Sequence, residues 1–449
     1  RLRGYTSPEY IKDAGTPTRL DRVRRAFAAG TVSRAALSQK QRAVLIDRDG
    51  TLNRDIGHLS RAEELEVFPF VGPALRRLNE AEWRTVVITN QPVLARGEAD
   101  ETELRRIHAR LDSEVARDQA FFDRLYYCPH HPDIGFPGEV PALKINCDCR
   151  KPAPGLILRA ASDLNLDLAE SWFVGDSTAD LGAAEAAGVS AILVETGNGG
   201  LDAMHPFEAG ITQPNFAAAV DFILDLYPPI AAACTDLLAE MRPGEDWFVG
   251  GLARSGKSTL VAALLRELRR RGQTTCVIHL DRWIMSESER TSGVFGRFDM
   301  ASLSDTLNQA VKRTDGTVAL DLPAYSRRLK RSSPNRTPYL IPANATVIWE
   351  GVVAVELARR CGSVARTIQV ETSEPQRKNR FHAYDMRRGL TQAASVAAWQ
   401  ARETDEHRPL RQLGKLATHK ISLDGLLELN GPVSTDASPA VGESAHPIA

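Results

Sequence analysis

From Arg42 onward the chain alternates short apolar runs with amphipathic stretches, the pattern of a parallel sheet covered by helices on both faces. Open sheets of that kind place their ligands at the carboxyl ends of the strands. Three of the runs stop at chemistry-bearing residues. "AVLIDRDGTLN" ends in Asp47 and Asp49, "RTVVITNQ" in Thr89 and Asn90, and "SWFVGDSTADLGAAEAAG" in Asp176, with Asp180 four residues on. Two acids two residues apart at a strand end project the same way, so Asp47 and Asp49 can share one metal or one phosphate. One carboxylate can form an aspartyl-phosphate while its neighbour gives a proton to the leaving oxygen and takes one from water.

These motifs, in this order, resemble those of the haloacid dehalogenase (HAD) phosphatase superfamily, whose first motif, D-x-D-x-T, is met by Asp47, Asp49 and Thr51. The resemblance implies that Thr89 and Asn90 serve the phosphoryl oxygens and that Lys151, in "CRKP", neutralises nucleophile and phosphate. It also implies a Mg²⁺ held by Asp47, the backbone carbonyl of Asp49, and Asp176, with Thr51 at the substrate.

Between the second run and Lys151 lies "CPHHPDIGFPGEVPALKINCDC", which packs three of the six cysteines beside two of the ten histidines. Cys128, His130, Cys147 and Cys149 offer the four soft ligands of a closed zinc site, with His131 the competing nitrogen. His130 is preferred because C-x-H then mirrors C-x-C. Within the superfamily, C-x-H…C-x-C-R-K-P resembles the D-glycero-D-manno-heptose 1,7-bisphosphate 7-phosphatases and their relatives, the histidinol-phosphate phosphatases, over about Arg42 to Gly200. By this resemblance the zinc is structural and fixes Arg150 against the distal part of the substrate. One departure stands out: "TNQPVLARG" has Pro92 where the family has a Ser-Gly step, and proline fixes φ and removes a donor.

A second module follows. "DWFVGGLARSGKSTLVAALLRELRRRG" reads as strand, glycine-rich turn and amphipathic helix. Gly251, Gly256, Lys257 and Ser258 satisfy the P-loop pattern, with Thr259 next, so the backbone can cradle ATP phosphates while Ser258 holds Mg²⁺. Asp281 ends the next apolar run and can accept a proton from an acceptor hydroxyl; Glu350 ends another and can join the Mg²⁺ shell. Arg377, Lys378, Arg380, Arg387 and Arg388 crowd one stretch. With "LDRW", "PAYS" (Tyr325) and "EG", the set resembles the uridine kinase and phosphoribulokinase group across about Trp247 to Gly425. That resemblance implies a lid whose Arg377 and Arg380 meet the substrate.

The expected organisation is an N-terminal segment to residue 40, a phosphatase domain over 41–205, a helical linker over 206–242, a kinase domain over 243–425 and a disordered tail over 426–449. The fold class expected is α/β, with two doubly wound parallel sheets. In the N-terminal segment, a helix is expected from about Pro17 to Ala29, and the turn Asp13 to Pro17 resembles the closing segment of a sugar-1-phosphate nucleotidyltransferase, a domain with which the chain would associate. Cys234, Cys276 and Cys361 stand in apolar surroundings as small buried hydrophobes.

A formal net charge of -1 on 449 residues gives no general pull toward nucleic acid or membrane. No secretory pattern is visible and no apolar run reaches spanning length, which makes the cytoplasm the expected address. A phosphatase and a kinase on one chain must act on different positions or different compounds. Carbohydrate metabolism, with a sugar phosphate and ATP as small-molecule partners, is the leading reading. The alternatives are a histidinol-phosphate phosphatase, or a polynucleotide 3′-phosphatase and 5′-kinase.

Overall fold

A computed structural model describes residues 9–202, 204, 209–312, 316–326, 331–362, 366–387 and 389–426. Arg388, the side chains of Tyr325 and Arg387, and the tail from residue 427 lie outside the described residues. The chain divides into two compact units, one formed by Arg1–Pro228 with Arg269–Arg271, the other by Pro229–Leu268 with Gly272–Ala449.

The first unit opens with α1 (Pro17–Ala28) and α2 (Thr31–Arg34). Thr16 caps α1 and Pro17 occupies its first turn, where the missing N–H costs nothing. Then come β1 (Ala43–Ile46), α3 (Val71–Glu80), β2 (Arg84–Asn90), α4 (Glu101–Ala116) and β3 (Arg124–Cys128). They are followed by α5 (Gly155–Leu164), β4 (Trp172–Gly175), α6 (Thr178–Ala186), β5 (Ser190–Val194), β6 (Thr212–Gln213) and α7 (Phe216–Asp221). The strands form one parallel sheet in the order β3-β2-β1-β4-β5-β6. Leu45, Val86, Ile88 and Phe173 bury one face of it against Leu156, Ile157 and Leu164 of α5 and Ala183 and Ala184 of α6. The carboxyl ends of β1, β2 and β4 therefore lie side by side.

The second unit takes α8 (Tyr227–Ala233) from Pro229 on, then α9 (Thr235–Glu240), β7 (Asp246–Gly251), α10 (Lys257–Arg270) and β8 (Thr275–His279). Next are α11 (Met300–Ala310), β9 (Val318–Ser326), β10 (Arg331–Ile341), β11 (Thr346–Glu350), α12 (Ala354–Arg360) and β12 (Thr367–Glu371). It ends with α13 (Glu374–Arg387), α14 (Gln392–Arg402), α15 (Arg408–Gly414) and β13 (His419–Ser422). Its sheet is parallel, in the order β13-β12-β7-β11-β8, while β9 and β10 pair as an antiparallel hairpin. Neighbours along a strand bury opposite faces, as the two-residue period demands. Phe248 and Trp349 pack toward α11 and α12, whereas Trp247, Val249 and Ile348 pack toward Leu260 and Leu264 of α10.

Two expectations change here. Within the described part of the expected linker, from residue 209 on, β6 pairs with β5 in the first sheet, while Cys234, Leu237 and Leu238 join the Trp247 core of the second unit. The run Phe216–Ala233 is long and apolar enough to cross a membrane by length and composition, contrary to the sequence reading. Its first part is a packed helix. Phe222 and Tyr227 meet the ring of Trp172 edge-on, and Arg77 of α3 bonds Asp221 and Asp225.

Candidate active sites

At the carboxyl edge of the first sheet, Asp47 follows β1 and Asp176 follows β4. Lys151 enters from the loop before α5, its side chain only 5 % exposed. All three of its ammonium donors are used: 2.6 Å to Asp47 Oδ1, 2.6 Å to Asp180 Oδ1 and 3.0 Å to the Ile88 carbonyl. Burial works against the charge, yet Asp180 and Asp47 together hold the ammonium above its ordinary range. Asp47, Asp176 and Asp180 bring carboxylate oxygens within 4.8 Å of one another. Burial first, and Asp180 second, push Asp47 up to about 7 and Asp176 up to about 8.

The hydrogen bonds sort these three acids. Asp180 is saturated: Oδ1 takes Lys151, and Oδ2 takes the Asp176 and Ser177 amides and the Ser177 hydroxyl, closing the capping box of α6. Asp176 Oδ2 takes the amide and side-chain N–H of Asn198. That leaves one oxygen each on Asp47 and Asp176 without a donor among the described residues. Three acids against one ammonium, with two open oxygens, are the donor set of a hard divalent cation. Two glycines shape the space. A Cβ on Gly50, at φ +78°, would come within 2.3 Å of Asp176 Oδ2, and one on Gly197 within 2.2 Å of the same oxygen.

Asp49 behaves differently from the sequence picture of two acids sharing one ion. Its carboxylate takes Arg48, Asn53 and Gln91, and it is absent from the acid group around Asp47. The reason is that β1 ends at Ile46, so strand alternation no longer governs the loop beyond it. Despite burial, Arg48 and the other donors hold Asp49 below the usual carboxylate range. Asn90 is corrected too: its Oδ1 accepts from the Lys151 amide at 3.0 Å and its Nδ2 donates to the Lys151 carbonyl at 3.1 Å, so it clamps the backbone of the lysine. The hydroxyl of Thr51 is buried with no hydrogen-bond partner among the described residues. Thr89 is 1 % exposed and its oxygen accepts from Gln91.

The sulfur-rich loop closes as a cluster. Cys149 Sγ lies 3.2 Å from both Cys128 and Cys147 Sγ, Cys128 and Cys147 are 3.6 Å apart, and His130 Nδ1 is 3.3 Å from Cys149 and 3.7 Å from Cys128. A tetrahedron with Zn–S bonds of about 2.3 Å has edges a few tenths of an ångström longer, so the four donors fit a zinc ion with slight expansion. All six cysteines are free thiols. His131 turns away, its ring meeting Arg96 and the Asp133 amide. Arg150, beside the cluster, donates to the His130 carbonyl at 3.2 Å.

In the second unit, Gly251 at φ +148° and Gly256 at φ +92° frame the turn between β7 and α10. Lys257 is buried, donates to the Leu252 carbonyl at 3.0 Å, and burial pulls its pKa down. Ser258 Oγ lies 3.2 Å from Glu350 Oε1, and His279 Nδ1 lies 2.7 Å from Glu350 Oε2. The Ser255 hydroxyl is buried without a partner among the described residues. Thr259 follows in the first turn of α10, and Asp281 sits in the short turn Leu280–Trp283 after β8. Arg377, expected at the substrate, is turned inward in this structure. It is 1 % exposed, stacks over Trp399, and spends its guanidinium on the Ala253 carbonyl and His407 Nε2. Arg380 likewise reaches the Arg254 carbonyl, at 3.4 Å. Both brace the turn between β7 and α10 from α13.

Several site residues carry no motif. Arg48, His108 and Asn198 in the first unit, and His279 and His407 in the second, matter through contacts that only the tertiary fold creates.

An acid loop after β1, a hydroxyl at the end of β2, a lysine before α5 and acids after β4 on a parallel sheet define a HAD-like phosphohydrolase site, and residues 148–219 match the HAD-hydrolase-like family model. The chain is 40 % identical over 156 residues to the Escherichia coli (strain K12) D-glycero-beta-D-manno-heptose-1,7-bisphosphate 7-phosphatase, covering 34 % of this chain and 80 % of that one. Through this region the chain belongs to the D-glycero-beta-D-manno-heptose-1,7-bisphosphate 7-phosphatase family. The D,D-heptose 1,7-bisphosphate phosphatase of B. bronchiseptica, solved with magnesium and phosphate, is 35 % identical, with 41 % of this chain and 98 % of that one covered and a TM-score of 0.37. A Bacillus stearothermophilus protein named as a possible uridine kinase is 21 % identical, with 44 % and 100 % covered and a TM-score of 0.30.

Proposed function

We propose that the first unit removes the 7-phosphate of D-glycero-D-manno-heptose 1,7-bisphosphate and that the second transfers a phosphoryl group from ATP to a small-molecule hydroxyl. The observation that carries the first reading is the Asp47, Lys151, Asp180 and Asp176 arrangement, with two carboxylate oxygens open at the strand edge. Family membership supports the sugar bisphosphate.

In this reading a carboxylate oxygen of Asp47 attacks phosphorus, the bond from phosphorus to the sugar oxygen breaks, and Asp49 gives the sugar oxygen its proton. Asp49 then takes a proton from water, whose oxygen attacks the phosphoryl group and frees Asp47. Lys151 balances the negative charge, while Thr89 and the orphan Thr51 hydroxyl offer hydrogen bonds to phosphoryl oxygens. Asp47 and Asp176, with the Asp49 carbonyl, would hold Mg²⁺, which when bound supplies further neutralisation of the phosphate. Cys128, His130, Cys147 and Cys149 would hold Zn²⁺, which ties the loop together and keeps Arg150 in place.

For the second unit, the support is the Gly251 to Ser258 turn with Glu350 against Ser258. Lys257 and the α10 N-terminus would receive the ATP phosphates, Ser258 and Glu350 its Mg²⁺, and Asp281 would take the proton of the acceptor hydroxyl. Together with the likeness of the N-terminal segment to the end of a nucleotidyltransferase, the two activities fit consecutive steps on a sugar phosphate in the cytoplasm.

The test is a substrate panel on the purified chain with Mg²⁺ and ATP. The reading expects phosphate release from the heptose 1,7-bisphosphate. Release from histidinol phosphate or a polynucleotide 3′ end, with none from sugar bisphosphates, would sink it.

A further inference from the structure

Four successive carbonyls of the turn between β7 and α10 are each taken by a side chain. Lys257 Nζ donates to the Leu252 carbonyl at 3.0 Å, Arg377 Nε to that of Ala253 at 3.2 Å, Arg380 Nη1 to that of Arg254 at 3.4 Å, and Thr372 Oγ1 to that of Ser255 at 2.8 Å. The Thr372 hydroxyl also lies 2.8 Å from the Glu371 carbonyl, but the Leu423 amide already satisfies that oxygen at 3.0 Å, which leaves the single hydroxyl hydrogen to Ser255. Three of the four donors therefore come from outside the turn, from α13 and the residue after β12.

In a trans peptide the carbonyl and the following N–H point opposite ways, so a carbonyl pinned toward α13 turns the next amide to the other side. Pinning Ala253 so directs the Arg254 amide, and pinning Ser255 directs that of Gly256. The amides of Gly256, Lys257 and Ser258 have no hydrogen-bond partner among the described residues, and the neighbouring Ser255 hydroxyl is buried without one. Arg254 sits at φ +63°, a region that is costly for a residue with a Cβ, and its guanidinium lies 3.5 Å over the Tyr384 ring of α13. Arg377 is committed to this task. It is 1 % exposed, lies 5.1 Å over the Trp399 ring and donates through Nη2 to His407 Nε2 at 2.8 Å, so it reaches no ligand without leaving the core.

We propose that Thr372, Arg377 and Arg380 are positioning residues that hold these carbonyls away from the bound phosphates, so that α13 is a fixed wall of the phosphate loop rather than a lid that closes on ATP. The inference rests on the kinase reading of this unit. A carbonyl that swung inward would set its negative end against a phosphate oxygen where an amide hydrogen belongs, replacing attraction with repulsion. The backbone of such a loop cradles the α- and β-phosphates, which ADP and ATP share. The brace therefore acts on both nucleotides alike, whereas an arginine closing on the γ-phosphate acts on ATP alone.

Dissociation constants for ADP and for the unreactive ATP analogue AMP-PNP, each with Mg²⁺, separate these roles when measured by calorimetry on the full chain for wild type, Thr372→Val, Arg377→Met and Arg377→Lys. Thr372→Val keeps the side-chain shape and deletes only the donor. It is expected to weaken both nucleotides about 5-fold, with the melting temperature of the nucleotide-free protein nearly unchanged. Arg377→Met is expected to weaken both by one common factor, about 10-fold or more, the range of a hydrogen bond from a charged donor. Arg377→Lys, which still offers a donor, is expected to recover part of that loss. A loss confined to AMP-PNP would overturn the proposal in favour of a γ-phosphate contact, and unchanged affinities in Thr372→Val and Arg377→Met would overturn it in favour of a purely structural role. Where Arg377→Met does not fold, Thr372→Val alone decides. A wild type that binds neither nucleotide would instead overturn the kinase reading itself.

Discussion

In the proposed reading the two candidate sites meet the same electrostatic problem, holding phosphate, in opposite ways. In the first, charge is balanced inside the protein: Lys151 is locked between Asp47 and Asp180, and the surplus negative charge awaits a cation. In the second, Lys257 rests on a backbone carbonyl, and the arginines nearest the loop, Arg377 and Arg380, are turned to its carbonyls. A site that makes a covalent phosphoryl bond needs its nucleophile aimed before substrate arrives. A site that only cradles phosphates can leave its lysine on a weak partner that the ligand displaces.

The sharpest way to break this contrast is Asp47→Asn. Phosphate release is expected to fall at least about 10³-fold, because the nucleophile is gone, while ATP-dependent transfer is unchanged. Loss of both activities in a phosphate-release and ATP-consumption assay would refute independent sites. The mirror experiment is Lys257→Ala, expected to lower ATP-dependent transfer about 10²-fold or more with phosphatase turnover intact. His130→Ala removes one zinc ligand and is expected to cost the phosphatase about 10- to 100-fold, with zinc content below one per chain by metal analysis. Normal activity without zinc would make the cluster dispensable.

Arg377→Met should destabilise the second unit by about 2 kcal/mol, the cost of orphaning buried groups bonded to a cation, read as a lower denaturation midpoint. The smallest effect expected is on pH dependence. Asp47 and Asp176 are raised by folding to about 7 and about 8, so their stabilising contribution is full below the unfolded carboxylate range and is lost as pH rises through those values. Without Mg²⁺ the melting temperature of the first unit should fall by about a few degrees between pH 6 and 9, and millimolar Mg²⁺ should flatten the fall.

Much of this was legible in the chain itself. Apolar runs ending in Asp47, Thr89 and Asp176 placed three strands and their order of use, and C-x-H with C-x-C picked His130 over His131. What stayed hidden has a physical reason in each case. Arg48, wedged between two acids, carries no signal of its own because its bidentate grip on Asp49 depends on the loop turning after Ile46. His108 lies in the middle of α4 with nothing around it to mark it, and only the packing of α4 brings it to Arg48. Arg377 read as a lid cation since a run of basic residues says nothing about which one is buried against Trp399. The boundary at 205 failed because β6 is only two residues long, too short to show any periodicity.

The two glycines beside Asp176 set a limit on how this pocket can change. Neither Gly50 nor Gly197 has room for even a methyl group against Asp176 Oδ2. The backbone itself therefore walls in one side of that carboxylate, and a side chain at either glycine would have to push Asp176 out of its seat.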